Sequence, residues 1–323
     1  MAQEVRVRKH RTVNYSANTK VTEKLSRGTL LRELYLRLNG TLTVTTANNT
    51  AANTEAGDAW ASVQRVEVIG NGTDVLFSCT GYELKGINHI LYGVGSQYDF
   101  ANSTDNPTIE STLVVPFWMP RAVRPLDTAL DTGKLSDLEI AITWGSHTSI
   151  NANSTALNAR IDVYGLESFG VTGDFATKRQ FRIDTNPTAT NTDYEIALPV
   201  GPMYRGILVR VRKSNEVDNS DHSQVSNLKV VSGSTVFFDM PTKLISQMQH
   251  QRLAIPYNTF LARSVDVSEH AWYWLDFATD GRLTECIDTL GFSEFKLVAN
   301  VASVTGGTFI TAIPLQVYPI RKK

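Results

Sequence analysis

The feature of this sequence that most limits its fold is an internal repeat that occupies most of its 323 residues. Pairs of similar segments occur in the same order in the two halves, and the distance between partners falls steadily from 173 to 154 residues. The paired segments are 25–38 with 198–211, 64–73 with 226–235, 129–144 with 286–301, and 161–166 with 315–320. Two copies of one fold that differ in loop length give such a pattern, because loops accept insertions more readily than strands and helices.

Several residues are identical at equivalent positions of the two copies. They are Arg32 and Arg205, Arg37 and Arg210, His89 and His250, Asp131 and Asp288, and Thr132 and Thr289. The largest change in distance places the extra residues of the first copy in the polar segment 45–61. The alternative explanation is a strand–turn–strand rhythm common to all-β proteins. A predicted helix after the same hairpin in both copies argues against that alternative.

The hydrophobic pattern predicts mostly β-structure. Apolar residues alternate with polar ones, as in Leu34, Leu36 and Leu38, and this period of two is typical of half-buried strands. The clearest predicted strands are 31–44, 63–69, 75–79, 112–118, 138–144 and 159–164. Only two segments, 81–91 and 242–253, have a helical pattern.

The predicted fold class is all-β, with two tandem eight-stranded jelly rolls, each an antiparallel sandwich with a short helix after the fourth strand. A pair of immunoglobulin-like domains is disfavoured because the Cys, Trp, Cys pattern is absent, and a propeller is disfavoured by the long period. The predicted division is a basic N-terminal arm at 1–12, a first jelly roll at 13–166, a linker at 167–178, a second jelly roll at 179–320 and a basic tail at 321–323.

The charge balance excludes a protein that coats nucleic acid. The chain has 31 Lys and Arg against 32 Asp and Glu, and neutralising a phosphate backbone needs a surplus of cations. Cys79 and Cys286 are far apart and in no metal-binding spacing, so neither a disulfide framework nor a zinc site is predicted. The sequence shows no signal-peptide pattern and no long apolar run, so we expect a chain that is neither secreted by a cleavable signal nor membrane-spanning.

With the duplication, the paired helices and the Asn- and Thr-rich loops at 45–61 and 146–155, the sequence resembles the double jelly-roll major capsid proteins of tailless icosahedral viruses. This family includes proteins of membrane-containing bacteriophages and, more distantly, adenovirus. The resemblance covers residues 12–320 and rests on organisation, since the family has no invariant active-site residues. It implies a homotrimer whose six barrels form a pseudo-hexagonal capsomer, and capsomers that tile a shell around an internal membrane.

The same resemblance implies the partners and the location. Neighbouring capsomers, penton proteins and minor capsid proteins are the expected partners, and the virion is the expected location after synthesis in the host cytoplasm. No enzymatic activity, cofactor, metal or small-molecule substrate is expected. The alternatives are a tandem jelly-roll carbohydrate-binding or virion spike protein, and a divergent bicupin-like enzyme.

The chemistry-bearing residues have plain structural explanations. A bicupin metal site needs a His-x-His pair, and no two histidines here lie two residues apart, although His89 and His250 are equivalent in the repeat. We interpret these histidines as structural or capping residues rather than metal ligands. Asp131 and Asp288 are predicted to form turns or caps rather than an acid/base pair. The tryptophans near strands are predicted in the core or a trimer interface rather than in sugar stacking, and they are Trp118, Trp144, Trp272 and Trp274.

One local concentration of charge remains. A basic arm precedes the first predicted strand, and a basic tail ends the chain at 321–323. The candidate membrane- or genome-facing residues of the arm are Arg6, Arg8, Lys9 and Arg11, with His10 among them. Each cation near an anionic lipid surface contributes about 1 kcal/mol of attraction. A solvated tail with no partner is the alternative.

Overall fold

A computed structural model describes residues 4–44, 59–93, 108–171, 173–213, 223–253, 272–304 and 307–319. This part of the chain divides into two compact units. One comprises residues 4–120 and 124–179, and the other comprises residues 121–123 and 180–319.

The first unit is an antiparallel sandwich. Its elements are β1 (Glu4–Asn14), β2 (Lys20–Lys24), β3 (Leu30–Val44), β4 (Val63–Gly70), β5 (Asp74–Cys79), α1 (Gly81–Tyr92), β6 (Thr108–Pro116), β7 (Leu130–Asp131), β8 (Leu138–Trp144) and β9 (Ser154–Phe169). One sheet has the order β1, β9, β3, β6, with β7 beside β3; the other contains β5, β4, β8 and β2 in that order. Strand β10 (Thr177–Phe181) follows.

The second unit repeats this arrangement. Its elements are β11 (Ile183–Thr185), β12 (Asn191–Ala197), β13 (Met203–Lys213), β14 (Val225–Ser232), β15 (Thr235–Pro241), α2 (Thr242–Leu253), β16 (Trp272–Asp276), β17 (Ile287–Asp288), β18 (Lys296–Val301) and β19 (Thr308–Tyr318). The strand orders are β11, β19, β13, β16, with β17 beside β13, and β15, β14, β18, β12. Each strand of the second unit thus occupies the same place in its sheet as the strand of the first unit whose number is ten lower. The two units therefore share one topology, and this confirms the duplication.

Each unit has its own hydrophobic core between its two sheets. In β3 the side chains of Leu34, Leu36 and Leu38 are buried, and across the sandwich Val66 and Ile140 are buried as well. The alternation of apolar and polar residues in the sequence therefore gives each strand one apolar and one polar face. The second core is formed in the same way by β13, β14, β18 and β19.

The two helices protect a sheet edge in the same manner. Asn88 of α1 donates to the carbonyl of Val114 in β6 and accepts from the amide of the same residue, at 2.6 and 2.7 Å. Gln249 of α2, at the equivalent position, donates to the Trp272 carbonyl and accepts from the Trp274 amide, at 3.1 and 2.9 Å. Because β6 and β16 end their sheets, these side-chain amides satisfy edge-strand groups that would otherwise lack partners.

A capping box starts the first helix. The Thr80 hydroxyl accepts from the Glu83 amide, and the Glu83 carboxylate accepts from the Thr80 amide. This reciprocal pair satisfies two of the free N–H groups of the first turn. Thr242 begins α2 and donates instead to the Val225 carbonyl, at 2.8 Å.

Two segments differ from the sequence-based expectation. Residues 4–12, predicted as part of the basic arm at 1–12, belong to β1, which pairs with β9 from Glu4 to Asn14. This strand makes α1 the element after the fifth strand rather than the fourth. Strand β9 also continues to Phe169, into the predicted linker, because Glu167 and Ser168 pair with both β1 and β3. The remaining domain boundaries stay predictions.

Candidate assembly surfaces

The four basic residues singled out in the sequence lie on β1, at the edge of a sheet, and each has a carboxylate within 4 Å. The pairs are Arg6 with Glu4 at 2.7 Å, Arg8 with Glu167 at 3.0 Å, Lys9 with Asp162 at 2.7 Å, and Arg11 with Glu23 at 3.6 Å. About half of each basic side chain remains exposed. The residues predicted as a free basic arm therefore form a strand. The acidic neighbours offset the positive charges of this strand and weaken the attraction of the strand for an anionic surface.

A bulge at His10 fixes β1 to its neighbour. The register of the β1 and β9 pair shifts between Lys9 and Arg11, and the His10 ring turns inward to lie 3.1 Å from a carboxylate oxygen of Glu167. Burial lowers the pKa of His10, and the Glu167 carboxylate opposes this shift. Gly165 permits the approach, because a Cβ there would lie 2.4 Å from the imidazole Nε2.

The outer part of β1 presents apolar side chains to solvent. Val5 is 46% exposed and Val7 is 63% exposed. Within the described ranges, β9 is the one strand hydrogen-bonded to β1, so the other edge of β1 carries backbone groups that no described strand pairs with. An exposed edge of this kind favours contact with another chain.

Of the two repeat-equivalent histidines, the structure describes the side chain of His89 alone. His89 is buried in the last turn of α1, where burial, and to a lesser extent Lys85, lowers its pKa to about 4. The side chain of His250 lies outside the described residues. Among the residues that the structure describes, no group of three or more His, Cys, Asp or Glu side chains is placed to hold a metal ion.

Asp131 and Asp288 have the turn role predicted for them. The Asp131 carboxylate accepts from the Gly133 amide at 3.1 Å, and the Asp288 carboxylate accepts from the Leu290 amide at 2.9 Å. Each is thus an Asx turn, in which a side-chain oxygen replaces a backbone acceptor.

The threonine after each of these aspartates joins two loops. Thr132 donates its hydroxyl to the Thr29 carbonyl at 2.6 Å and accepts from the Thr29 amide at 3.0 Å. Thr289 donates to the Pro202 carbonyl at 2.6 Å and accepts from the Gly201 amide at 2.8 Å. The identity of these threonines in the sequence repeat therefore has a structural cause.

Most of the tryptophans singled out in the sequence are buried. Trp144, Trp272 and Trp274 are each less than 7% exposed and lie in the cores or beneath buried cations. Trp118 is half-buried; it packs edge-on against Tyr92 with ring centroids 4.7 Å apart and donates to Glu33 at 3.1 Å. None of these four rings forms an exposed platform.

Two arginines of β13 are buried, and no structural or functional role was predicted for them from the sequence. Arg205 forms an ion pair with Asp276 of β16 and lies over the Trp274 ring. Arg210 lies 5.2 Å from the Trp272 ring centroid. Both arginines are identical to their partners in the repeat, which is a signal in the sequence, but the partner across the sheet is not evident from sequence alone.

Lys178 of β10 is a further buried cation. Its ammonium donates to the Tyr92 hydroxyl at 2.6 Å and to the carbonyls of Pro116 and Trp118. Burial lowers the pKa of this ammonium well below its ordinary value, while Glu33 opposes the shift. The lysine thereby satisfies carbonyl groups where β6 ends.

The basic tail at 321–323 lies outside the described residues. In the described ranges, no helix combines the length and the apolar composition that a membrane crossing needs.

No family model and no curated protein matches the chain in sequence. Solved structures of virus capsids match it in fold. A chain in an atomic structure of Sulfolobus turreted icosahedral virus superposes with a TM-score of 0.72 and 14% identity, over 98% of this chain and 91% of that chain. The major capsid protein P2 from bacteriophage PM2 gives 0.62 and 15%, over 99% and 100%. A capsid chain of the virus PBCV-1 gives 0.61 and 11%, over 100% and 97%.

These similarities show the fold. The chain has the double jelly-roll fold of these capsid proteins, as the sequence resemblance implied, and the match extends over nearly the full length of both partners. The predicted fold class is confirmed.

Proposed function

We propose that the protein is a viral major capsid protein, which trimerises into pseudo-hexagonal capsomers that tile an icosahedral shell. The observation that carries the proposal is the full-length match to capsid proteins, over at least 98% of this chain and at least 91% of each of the three compared chains. A partial match would leave room for another domain with another role. Here both barrels of the duplication are accounted for.

The duplication itself suits a tile. Two barrels of the same topology in one chain become six in a trimer, and six equivalent barrels approximate the symmetry of a hexagon. Weak contacts between such tiles are sufficient, because each is repeated many times over a shell. Chemical catalysis has no part in the proposal, since the candidate residues Asp131, Asp288 and His89 have turn or buried helix positions.

The proposal extends to location and partners. The protein would act in the virion, after synthesis in the host cytoplasm, in contact with neighbouring capsomers and with penton and minor capsid proteins. An internal membrane beneath the shell belongs to the same proposal.

The state of association tests the proposal. We expect the purified protein to behave as a particle of at least three times the 35.7 kDa of one chain, by light scattering after size exclusion. Electron microscopy should show hexagonal tiles or shells, and the protein should dominate the protein content of purified virions. A monomer at micromolar concentration that is a minor virion component would contradict the proposal.

Contact with lipid or genome through the N-terminal residues is a separate proposal with its own prediction. Arg6 and Arg11 keep about half of their side chains exposed, and their acidic partners Glu4 and Glu23 are exposed as well. Changing both arginines to Gln should therefore weaken binding to anionic vesicles in a sedimentation assay without unfolding the protein, by roughly thirtyfold for two cations at about 1 kcal/mol each. Changing Lys243 and Arg282 to Gln is the matched control. Equal binding by both variants would contradict a role for β1.

A further inference from the structure

The two sheets β5, β4, β8, β2 and β15, β14, β18, β12 have outer faces of opposite charge. Face 1, on the first unit, has three exposed charged side chains, and all are basic: Lys20, Lys24 and Arg65. Face 2, on the second unit, also has three exposed charged side chains, and all are acidic: Asp193, Glu195 and Asp239.

The less exposed charged residues of each face have the opposite sign to its exposed ones. On face 1, Glu67 is buried under Lys20 and Arg65, at 2.7 and 3.4 Å. On face 2, Lys229 is half-buried and pairs in register with Asp239 on the next strand. A second residue of the opposite sign lies on each face: Glu139 is in register with Lys24 on face 1, and Lys296 lies 2.9 Å from Glu195 on face 2.

The difference in charge between the two faces occurs at equivalent positions of the repeat. Lys20 is equivalent to Asp193 at the distance of 173 residues that relates β2 and β12, and Glu67 is equivalent to Lys229 at 162. Glu139 of β8 is likewise equivalent to Lys296 of β18. At these three positions the two copies have kept the strands and inverted the charge. Exposure to solvent explains why both faces carry charges, but it does not explain why the charges are opposite in sign. Contact between the two faces does explain it, because the charges on two surfaces that bind each other are complementary.

Face 2 also has the shape to receive basic side chains. A polar recess of about 260 Å³ lies on it, and Asp193, Asp239 and Lys229 are among its lining residues. The Asn227 amide donates to Asp239 at 2.7 Å and holds that carboxylate at the rim. A projecting Lys or Arg fits such a recess in size and charge.

We propose that face 1 of one copy of this chain binds face 2 of a second copy. The occupant of each face is a second copy because the complementary face is present on the same polypeptide. A contact between different faces is heterologous, so it repeats from copy to copy and builds rings or extended arrays rather than a closed dimer. The inference rests on the proposed function and names surfaces that would hold the shell together.

Charge reversal tests the contact. Lys20→Glu with Lys24→Glu makes face 1 acidic, and Asp193→Lys with Asp239→Lys makes face 2 basic. We expect each variant to need a roughly tenfold or higher concentration for assembly, because like charges then face each other. The chain with all four substitutions should assemble like the original.

The control changes charge elsewhere by the same amount. Lys243→Glu with Arg282→Glu alters two exposed residues outside both faces and should leave assembly unchanged. Circular dichroism and thermal unfolding identify any variant that fails to fold. High salt should weaken assembly of the original chain, since it screens the contact.

The outcomes separate the two proposals. If the original chain assembles and the single-face variants do so equally well, the inference is wrong and the proposed function stands. If only the face 1 variant is impaired, or if the fourfold variant folds but fails to assemble, the partner of face 1 is another anionic molecule and the inference is again wrong. If the original chain stays monomeric in every condition, both proposals fail.

Discussion

Replacing Asn88 with Ala is expected to lower the free energy of unfolding by about 2–4 kcal/mol. The Asn88 side chain is fully buried and makes three hydrogen bonds, one to the Leu84 carbonyl and two to the backbone of Val114. Its removal leaves the amide and the carbonyl of a buried edge-strand residue without partners. The loss is large because an unpaired buried polar group costs its full desolvation.

Urea denaturation at one protein concentration measures this effect, because the apparent stability of an associating protein depends on concentration. Gln247→Ala is the matched control, since Gln247 is an exposed amide residue on α2. It should change the unfolding free energy by less than about 0.5 kcal/mol. If Asn88→Ala had an equally small effect, the proposed bridge between helix and edge strand would carry no stability.

The second copy gives an independent check. Gln249→Ala should be destabilising for the same reason, because its side chain bonds the backbone of β16 at two points. The two sites lie in different units, so their effects should add when both are changed. The same device with Asn in one copy and Gln in the other explains why a helix follows the same hairpin in both halves.

Much of the fold could be predicted from the sequence, because its strands have one buried face. Strand β8 and helix α2 were predicted with the bounds that the structure shows, and β3 within one residue. Strand β1 was missed. In Glu4–Lys9 the valines alternate with charged residues, but both faces are exposed, so no apolar face indicated burial and the charges suggested an arm.

The surfaces were harder to predict than the fold. Two of the four ion pairs of β1 join residues more than 150 positions apart, Arg8 with Glu167 and Lys9 with Asp162, and only the register of β9 brings them together. The charge inversion between faces 1 and 2 is present in the aligned repeat, but it has meaning only after the strand pairings show which residues share a face. The identity of Arg32 and Arg205 was visible, and their different surroundings were not.

The second large effect is expected at the buried ion pair of Arg205. Replacing Asp276 with Ala should lower the free energy of unfolding by about 3–5 kcal/mol. Asp276 is the ion-pair partner of Arg205, whose side chain is 1% exposed. Without the carboxylate, a buried and charged guanidinium loses its ion-pair partner. In the first copy, no described residue is such a partner for Arg32, because Pro116 takes the place of Asp276 on β6; Arg32 donates to Ser168 instead.

A double substitution distinguishes the loss of a charge partner from the loss of a contact. Arg205→Met combined with Asp276→Ala removes both charges and keeps the apolar contact with Trp274, so it should recover most of the stability lost in Asp276→Ala alone. Asp280→Ala, at an exposed carboxylate near the end of β16, should have little effect in the same denaturation experiment. A double variant less stable than the single one would mean that Arg205 stabilises the second unit through packing and hydrogen bonds, independently of its ion pair.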